Sequence, residues 1–135
     1  MPAAEVFLDT NILLYLLSDE ATKADRAEAL ISQGGVISVQ VLNEFAAVAT
    51  RKLSMSVPEV REFLSTARAV CEVVPLSTET HDIALDLAER YHLSIFDALI
   101  VAAAVLAKCR TLYSEDMQHG QKIEGLTIRN PFLVG

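Results

Sequence analysis

Between Ile95 and Ala107 the chain carries a single charge, Asp97, and every other residue is apolar. Such a stretch predicts a helix buried almost all round. An ionised carboxylate in that setting is costly enough to neutralise unless something positive faces it. Lys108, a helix length away, is the first Lys or Arg that follows. Asp97 therefore needs a partner from elsewhere in the fold, and a metal ion or a helix-capping backbone would serve. The run is shorter than the ~20 residues of a membrane span, so no membrane is expected.

Composition narrows the class. The 135 residues suit one domain, 1–135, with a substantial core. A hydrophobic fraction of 52% and a mean hydropathy of +0.35 argue for a folded chain with little disorder, and hint at a buried oligomer face. The net charge of −7 disfavours a passive nucleic-acid binder. It does not disfavour an enzyme whose acids gather divalent cations, because the ions reverse the local sign. It would also suit a basic partner. Met1–Glu5 has no basic n-region and Asp9 follows soon after, so no secretory signal is expected. Cys71 and Cys109 lie in apolar segments, as reduced cysteines of a cytoplasmic protein would, and no CxxC or Cys/His cluster suggests zinc.

Short β-prone runs alternate with helical ones. Strands are expected at Val6–Leu8, Val36–Ser38, Glu72–Pro75, Thr111–Tyr113 and Leu126–Ile128. The one holding Pro75 should be peripheral, since Pro is poorly tolerated in central strands. Helices are expected through Ile12–Leu17, Lys23–Ser32, Gln40–Arg51, from Ser56 onward behind a capping box, over Thr78–Tyr91, and around Asp97. In the Thr78–Tyr91 helix, Glu79, Asp82, Asp86 and Glu89 should face solvent. This alternation implies an α/β fold: three layers, α/β/α, around a short, mainly parallel central sheet. Sites in such sheets form at the carboxyl ends of the strands.

Four acids meet that test. Asp9 directly follows the first strand, beside Thr10 and Asn11; an N-cap is its simpler explanation. Glu44 lies one turn into a largely apolar helix, where a solvent-facing edge shared with Gln40 and Asn43 is the alternative. Asp97 fits a capping box with Ser94, which would also hold and aim it. Asp116 follows a strand in Ser114-Glu115-Asp116-Met117, with Glu115 as an equally charged neighbour. Carboxylates drawn together repel unless cations bridge them, and hard oxygen ligands select Mg²⁺ or Mn²⁺. That set suits phosphodiester hydrolysis. His81, His92 and His119 share no metal-ligand spacing, and no P-loop or Ser/His/Asp grouping is present.

The stretch Val6–Leu14, with Asp9 and Asn11, resembles the opening of PIN-domain proteins. Ser38–Phe45, Ser94–Ala104 and Leu112–Met117 resemble their second, third and fourth acidic motifs, in matching order and spacing. The compact length further resembles VapC-type toxins of bacterial toxin–antitoxin pairs. The resemblance implies Mg²⁺- or Mn²⁺-dependent endoribonuclease activity, with Asp9, Glu44, Asp97 and Asp116 as metal-holding catalytic residues. Thr10, Asn11 and Ser114 would support them. It implies a homodimer, a VapB-like antitoxin whose basic segment enters the acidic site, and structured RNA such as tRNA as substrate. Where many relatives carry a second acid two residues after the last one, this chain has Gln118, so the part played by Glu115 stays open. Arg51 and Lys52 are candidates for holding substrate phosphates. Two rival readings are a PIN-fold binding module of weak catalysis acting through protein contacts, and a phosphatase-like hydrolase with Asp9 as nucleophile. The latter lacks a second Asp at position 11, which is Asn.

Overall fold

A computed structural model describes residues 5–133. Most of the N-terminal stretch considered for a secretory signal, residues 1–4, lies outside the described residues. The elements run β1 (Val6–Leu8), α1 (Thr10–Tyr15), α2 (Ala21–Ser32), β2 (Gly35–Ser38), α3 (Val39–Lys52), α4 (Val57–Val70) and β3 (Cys71–Val74). There follow α5 (Thr78–Tyr91), α6 (Ile95–Leu106), β4 (Thr111–Tyr113), β5 (Lys122–Ile123) and β6 (Leu126–Arg129). Helix starts follow the capping chemistry of the sequence. Ser56 and Glu59 form a reciprocal capping box at α4, Ser77 caps α5, and Ser94 accepts from the Asp97 amide at α6.

The strands form one sheet in the order β3-β2-β1-β4-β6-β5, parallel except for β5. β3 is an edge strand, as expected, but it spans Cys71–Val74 and ends just before Pro75. Right-handed crossovers decide the layers. The chain steps from β1 to β2 to β3 in one direction across the sheet, which puts α1 to α4 on one face. It then returns past β1 to β4, which puts α5 and α6 on the other. The direction of travel reverses at β1 and β4, so a crevice opens beyond their carboxyl ends.

The sheet is buried from both sides: Phe7, Leu8, Val36, Ile37, Leu112 and Ile128 have almost no exposure. Among the described residues, no helix is long and apolar enough to cross a membrane. Two expectations are corrected. β5, unforeseen, is a two-residue strand joined to β6 by Glu124 and Gly125, both at left-handed φ (51° and 86°). That is the backbone a two-residue type I′ hairpin requires. And α6 is not buried all round. Ala98 and Ile100–Ala104 are buried, but Ile95 and Phe96 in its first turn are exposed, Phe96 by 61%. The first turn reaches the mouth of the crevice, where Phe96 forms part of its wall.

Candidate functional site

Asp9 stands at the centre of the crevice. Its extended backbone ends β1 and caps α1, and its amide donates to the carbonyl of Tyr113 (3.0 Å), which ties it to β4. One carboxylate oxygen accepts from the Thr10 amide (2.7 Å), the other from the Ser114 hydroxyl (2.7 Å). The side chain is buried, at 4% exposure. That burial drives its pKa from 3.8 up to about 7. The two hydrogen bonds pull it down, and the carboxylates of Glu44 and Asp116 push it further up. Among the described residues, no positive charge is one of the groups acting on it.

Glu44 reaches the same place from α3. Its Oε1 accepts from the Thr10 hydroxyl (3.0 Å) and its Oε2 from the Gln40 side-chain amide (2.9 Å). Gln40 lies one helical turn earlier and is itself buried. The solvated edge that the sequence left open for Glu44 is therefore not what forms. Asp116, more exposed, accepts from the Asn11 side-chain amide (3.1 Å), and the Asn11 carbonyl accepts from the Glu115 amide (3.3 Å). The Ser114 hydroxyl also accepts from the amides of Asp116 (3.2 Å) and Met117 (3.3 Å). Thr10 thus steadies both Asp9 and Glu44, Asn11 steadies Asp116, and Ser114 steadies Asp9.

Asp97 lies half-buried in the first turn of α6. Its pKa is raised, first by burial and then by the charge of Asp116, against a lowering hydrogen bond with Ser94. The expectation of deep burial is corrected to a partly open setting, because the first turn of α6 is itself partly exposed. The neighbour that acts on it is a carboxylate rather than a Lys or Arg. Asp116 is the charge that Asp9 and Asp97 share.

Glu115, the neighbour of Asp116, has a separate set of partners. It accepts from the Tyr15 hydroxyl and pairs with Lys23 (2.9 Å). Lys23 also lies over the Tyr15 ring, 4.6 Å from its centroid. These donors hold the Glu115 carboxyl below its usual range although burial opposes them.

Glu44 and Asp116 line a cleft of about 490 Å³ together with Thr10, Asn11, Gln40 and Phe96, whereas Asp9 and Asp97 are not among its lining residues. Arg51 lines it too; Lys52, exposed at the end of α3, does not. His119 lies elsewhere, its Nδ1 accepting from the Asn130 amide (2.9 Å).

Residues 6–122 match the family model of the PIN domain. The chain belongs to the PIN-domain family. Solved structures share the fold. A chain of a toxin–antitoxin complex from Klebsiella pneumoniae superposes with a TM-score of 0.71 at 22% identity, covering 96% of this chain and 99% of its own. VapC20 of Mycobacterium tuberculosis, described as a Sarcin-Ricin loop cleaving toxin, gives 0.68 at 18% identity, covering 82% and 89%. A chain of VapBC2 from Rickettsia felis, solved with a DNA fragment from its promoter, gives 0.66 at 21%, covering 93% and 97%. No curated protein matches in sequence.

A divalent metal ion is the group this family implies. The donor set of this PIN domain suits one: the acids offer hard carboxylate oxygens, and Asp9 is a buried carboxylate with no basic neighbour acting on it. Among the described residues, no three His, Cys, Asp or Glu side chains are already gathered into a metal-holding group. The acids are tied instead to Thr10, Asn11, Gln40 and Ser114. Gln40 and Phe96 belong to the site although sequence reasoning does not single them out. The i, i+4 spacing of Gln40 and Glu44 is the available signal for the first, and the aromatic side chain directly before Asp97 is that for the second.

Proposed function

We propose that this PIN domain is a Mg²⁺- or Mn²⁺-dependent endoribonuclease and the toxin of a toxin–antitoxin pair. The observation that carries the proposal is Asp9: buried at the strand-order reversal, pushed to about 7, and acted on by two further carboxylates. A buried acid so placed gains most from a cation. The cleft beside it falls in the size range of ligand sites.

Asp9, Glu44, Asp97 and Asp116 would hold the ion. When bound, it supplies a Lewis acid for phosphoryl oxygens and a water of lowered pKa. The chain's own residues do the positioning. Ser114 and the Thr10 amide fix both oxygens of Asp9, Thr10 and Gln40 aim Glu44, and Asn11 aims Asp116. Arg51, which lines the cleft, would take a substrate phosphate, and Lys52 would add positive charge beyond the rim. Structured RNA such as tRNA is the substrate class we assign. The toxin role draws support from the fold shared with chains of toxin–antitoxin assemblies. It brings with it a VapB-like antitoxin whose basic segment occupies the acidic cleft, a homodimer, and a cytoplasmic setting.

Incubation of the purified protein with total RNA tests the activity. Cleavage is expected with Mn²⁺, and is expected to vanish in EDTA and in Asp9→Asn and Asp97→Asn. Undiminished, EDTA-resistant cleavage by those variants would sink the metal mechanism. Manganese binding by the wild type with no RNA cut would favour the PIN-fold binding module.

A further inference from the structure

A second hollow, of about 440 Å³, opens at the same edge of the sheet. Arg26, Tyr113, His119, Arg129, Asn130 and Pro131 line it. Tyr113 and Arg129 end the adjacent parallel strands β4 and β6 and stand in register, so their side chains share a face. The Ser114 amide donates to the Arg129 carbonyl (3.0 Å). Tyr113 is thus the lining residue of the hollow next to Ser114, which holds Asp9. From β1 to β6 is two strand spacings, about 10 Å.

The chemistry of this hollow is the reverse of the acid cleft. Among the described residues, none that lines it is acidic. Among the described residues, neither Arg26 nor Arg129 is in an ion pair. The Nε of Arg26 donates to the Pro131 carbonyl (3.2 Å), which fixes the guanidinium and leaves its terminal nitrogens as donors. His119 accepts at Nδ1 from the Asn130 amide (2.9 Å), so a neutral ring carries its proton on Nε2. The Asn130 side-chain oxygen is taken by the Phe132 amide (2.9 Å), which leaves its NH₂ group. The residues lining the hollow therefore carry, as groups able to donate, two guanidinium groups, an imidazole N–H, an amide NH₂ and a phenol hydroxyl. In a chain of net charge −7, a donor-rich hollow without acids suits an anion with several oxygens.

We propose that this hollow binds a backbone phosphate of the RNA strand, at a nucleotide neighbouring the one in the acid cleft. The inference rests on the nuclease reading for its substrate, and its geometry adds direction: the strand would run from the acid cleft across the end of β4 toward β6. Arg26 and Arg129 would supply the charge-assisted contacts, and His119 and Asn130 would orient the phosphate.

Anisotropy of a fluorescein-labelled oligoribonucleotide, measured in EDTA over a salt series, tests binding apart from cleavage. Arg26→Gln/Arg129→Gln is expected to weaken binding about tenfold or more. Its log K against log salt slope should be shallower by about 0.7 for each single-strand phosphate that is no longer neutralised. With Mn²⁺ present, KM should rise while kcat holds, and Arg129→Lys should recover part of the loss. Unchanged affinity and salt slope in the double variant would overturn the proposal even if the wild type cuts RNA. Weakened binding in the variant without cleavage by the wild type would leave the phosphate site standing and remove the nuclease reading. Inorganic phosphate titrated by calorimetry separates the other source. Heat that vanishes in the double variant while RNA affinity stays unchanged would mark a small-anion site and overturn the proposal. So would a wild type that binds no RNA.

Discussion

The outward face of α5 and the carboxyl edge of the sheet each carry four acids, in opposite surroundings. Glu79, Asp82, Asp86 and Glu89 project into solvent from a helix whose inner side, with Ala84 and Leu87, is buried. Asp9, Glu44, Asp97 and Asp116 come from separate elements; Glu44 and Asp116 act electrostatically on Asp9, and Asp116 on Asp97. Water screens the first group. Protein surrounds part of the second, and in Asp9 it has nearly replaced water. The difference lies in depth and in the hydroxyl and amide donors that the fold fixes around each carboxylate. A smaller contrast repeats the lesson at adjacent positions: Glu115 is matched by Lys23 and Tyr15, while Asp116 accepts from neutral Asn11 and acts electrostatically on Asp9 and Asp97.

Removing charge from each group should have unequal effects. Asp9→Asn, Asp97→Asn and Asp116→Asn are each expected to lower RNA cleavage by about a hundredfold or more, the scale of losing a group that acts at the reaction centre. The fourfold α5 variant, with Glu79 and Glu89 as Gln and Asp82 and Asp86 as Asn, should stay within about twofold of wild type. A matching loss from the α5 variant would erase the distinction. Ser114→Ala, which removes the donor to Asp9 without touching an acid, should cost about 10- to 100-fold, as outer supporting groups do. Manganese affinity measured beside activity would show whether the loss follows binding.

The buried member of the pair also titrates differently with folding. Between 3.8 and about 7 the native state keeps on Asp9 a proton that the unfolded chain has released. Stability without metal should therefore fall as pH rises through that window, by an amount on the order of a few kcal/mol. Asp9→Asn should flatten this dependence in pH-series denaturation, whereas the α5 variant should keep it. A wild type whose Asp9-dependent stability rises over the same window would contradict the burial argument. The smallest effect is expected at Glu115: Glu115→Gln should reduce cleavage only severalfold, since its partners lie outside the cleft. A loss as large as that of Asp116→Asn would place Glu115 in the metal-holding set.

Much of this was legible in the residues. The Thr78–Tyr91 helix, the Ser56–Glu59 capping box and the parallel strands follow from local periodicity and end chemistry, and α5 begins and ends where the pattern says; at the start of α6, Ser94 accepts from the Asp97 amide without a reciprocal box. β5 was not legible, because Lys122–Ile123 is too short to show alternation and its turn depends on Glu124 adopting left-handed φ. The acids could be picked out because three fall at a strand end or helix start and Glu44 lies one turn into its helix. Their support could not: Thr10 meets Glu44 across 34 positions and Asn11 meets Asp116 across 105, contacts that only the sheet order creates. The same applies to Glu115, whose contacts with Tyr15 and Lys23 span 100 and 92 positions. The apolar content of α6 suggested burial all round, but a helix covering one face of a sheet still shows its first turn at the crevice.

Calorimetric titration of Mn²⁺ at neutral pH, on wild type, Asp9→Asn and the fourfold α5 variant, tests the central claim most directly. Asp9 sits near half-protonation there, so wild type and the α5 variant should bind the ion and release protons to the buffer. Asp9→Asn should lose both the binding heat and the proton release. Equal binding by Asp9→Asn, or loss of binding in the α5 variant alone, would contradict the assignment of the crevice as the cation site.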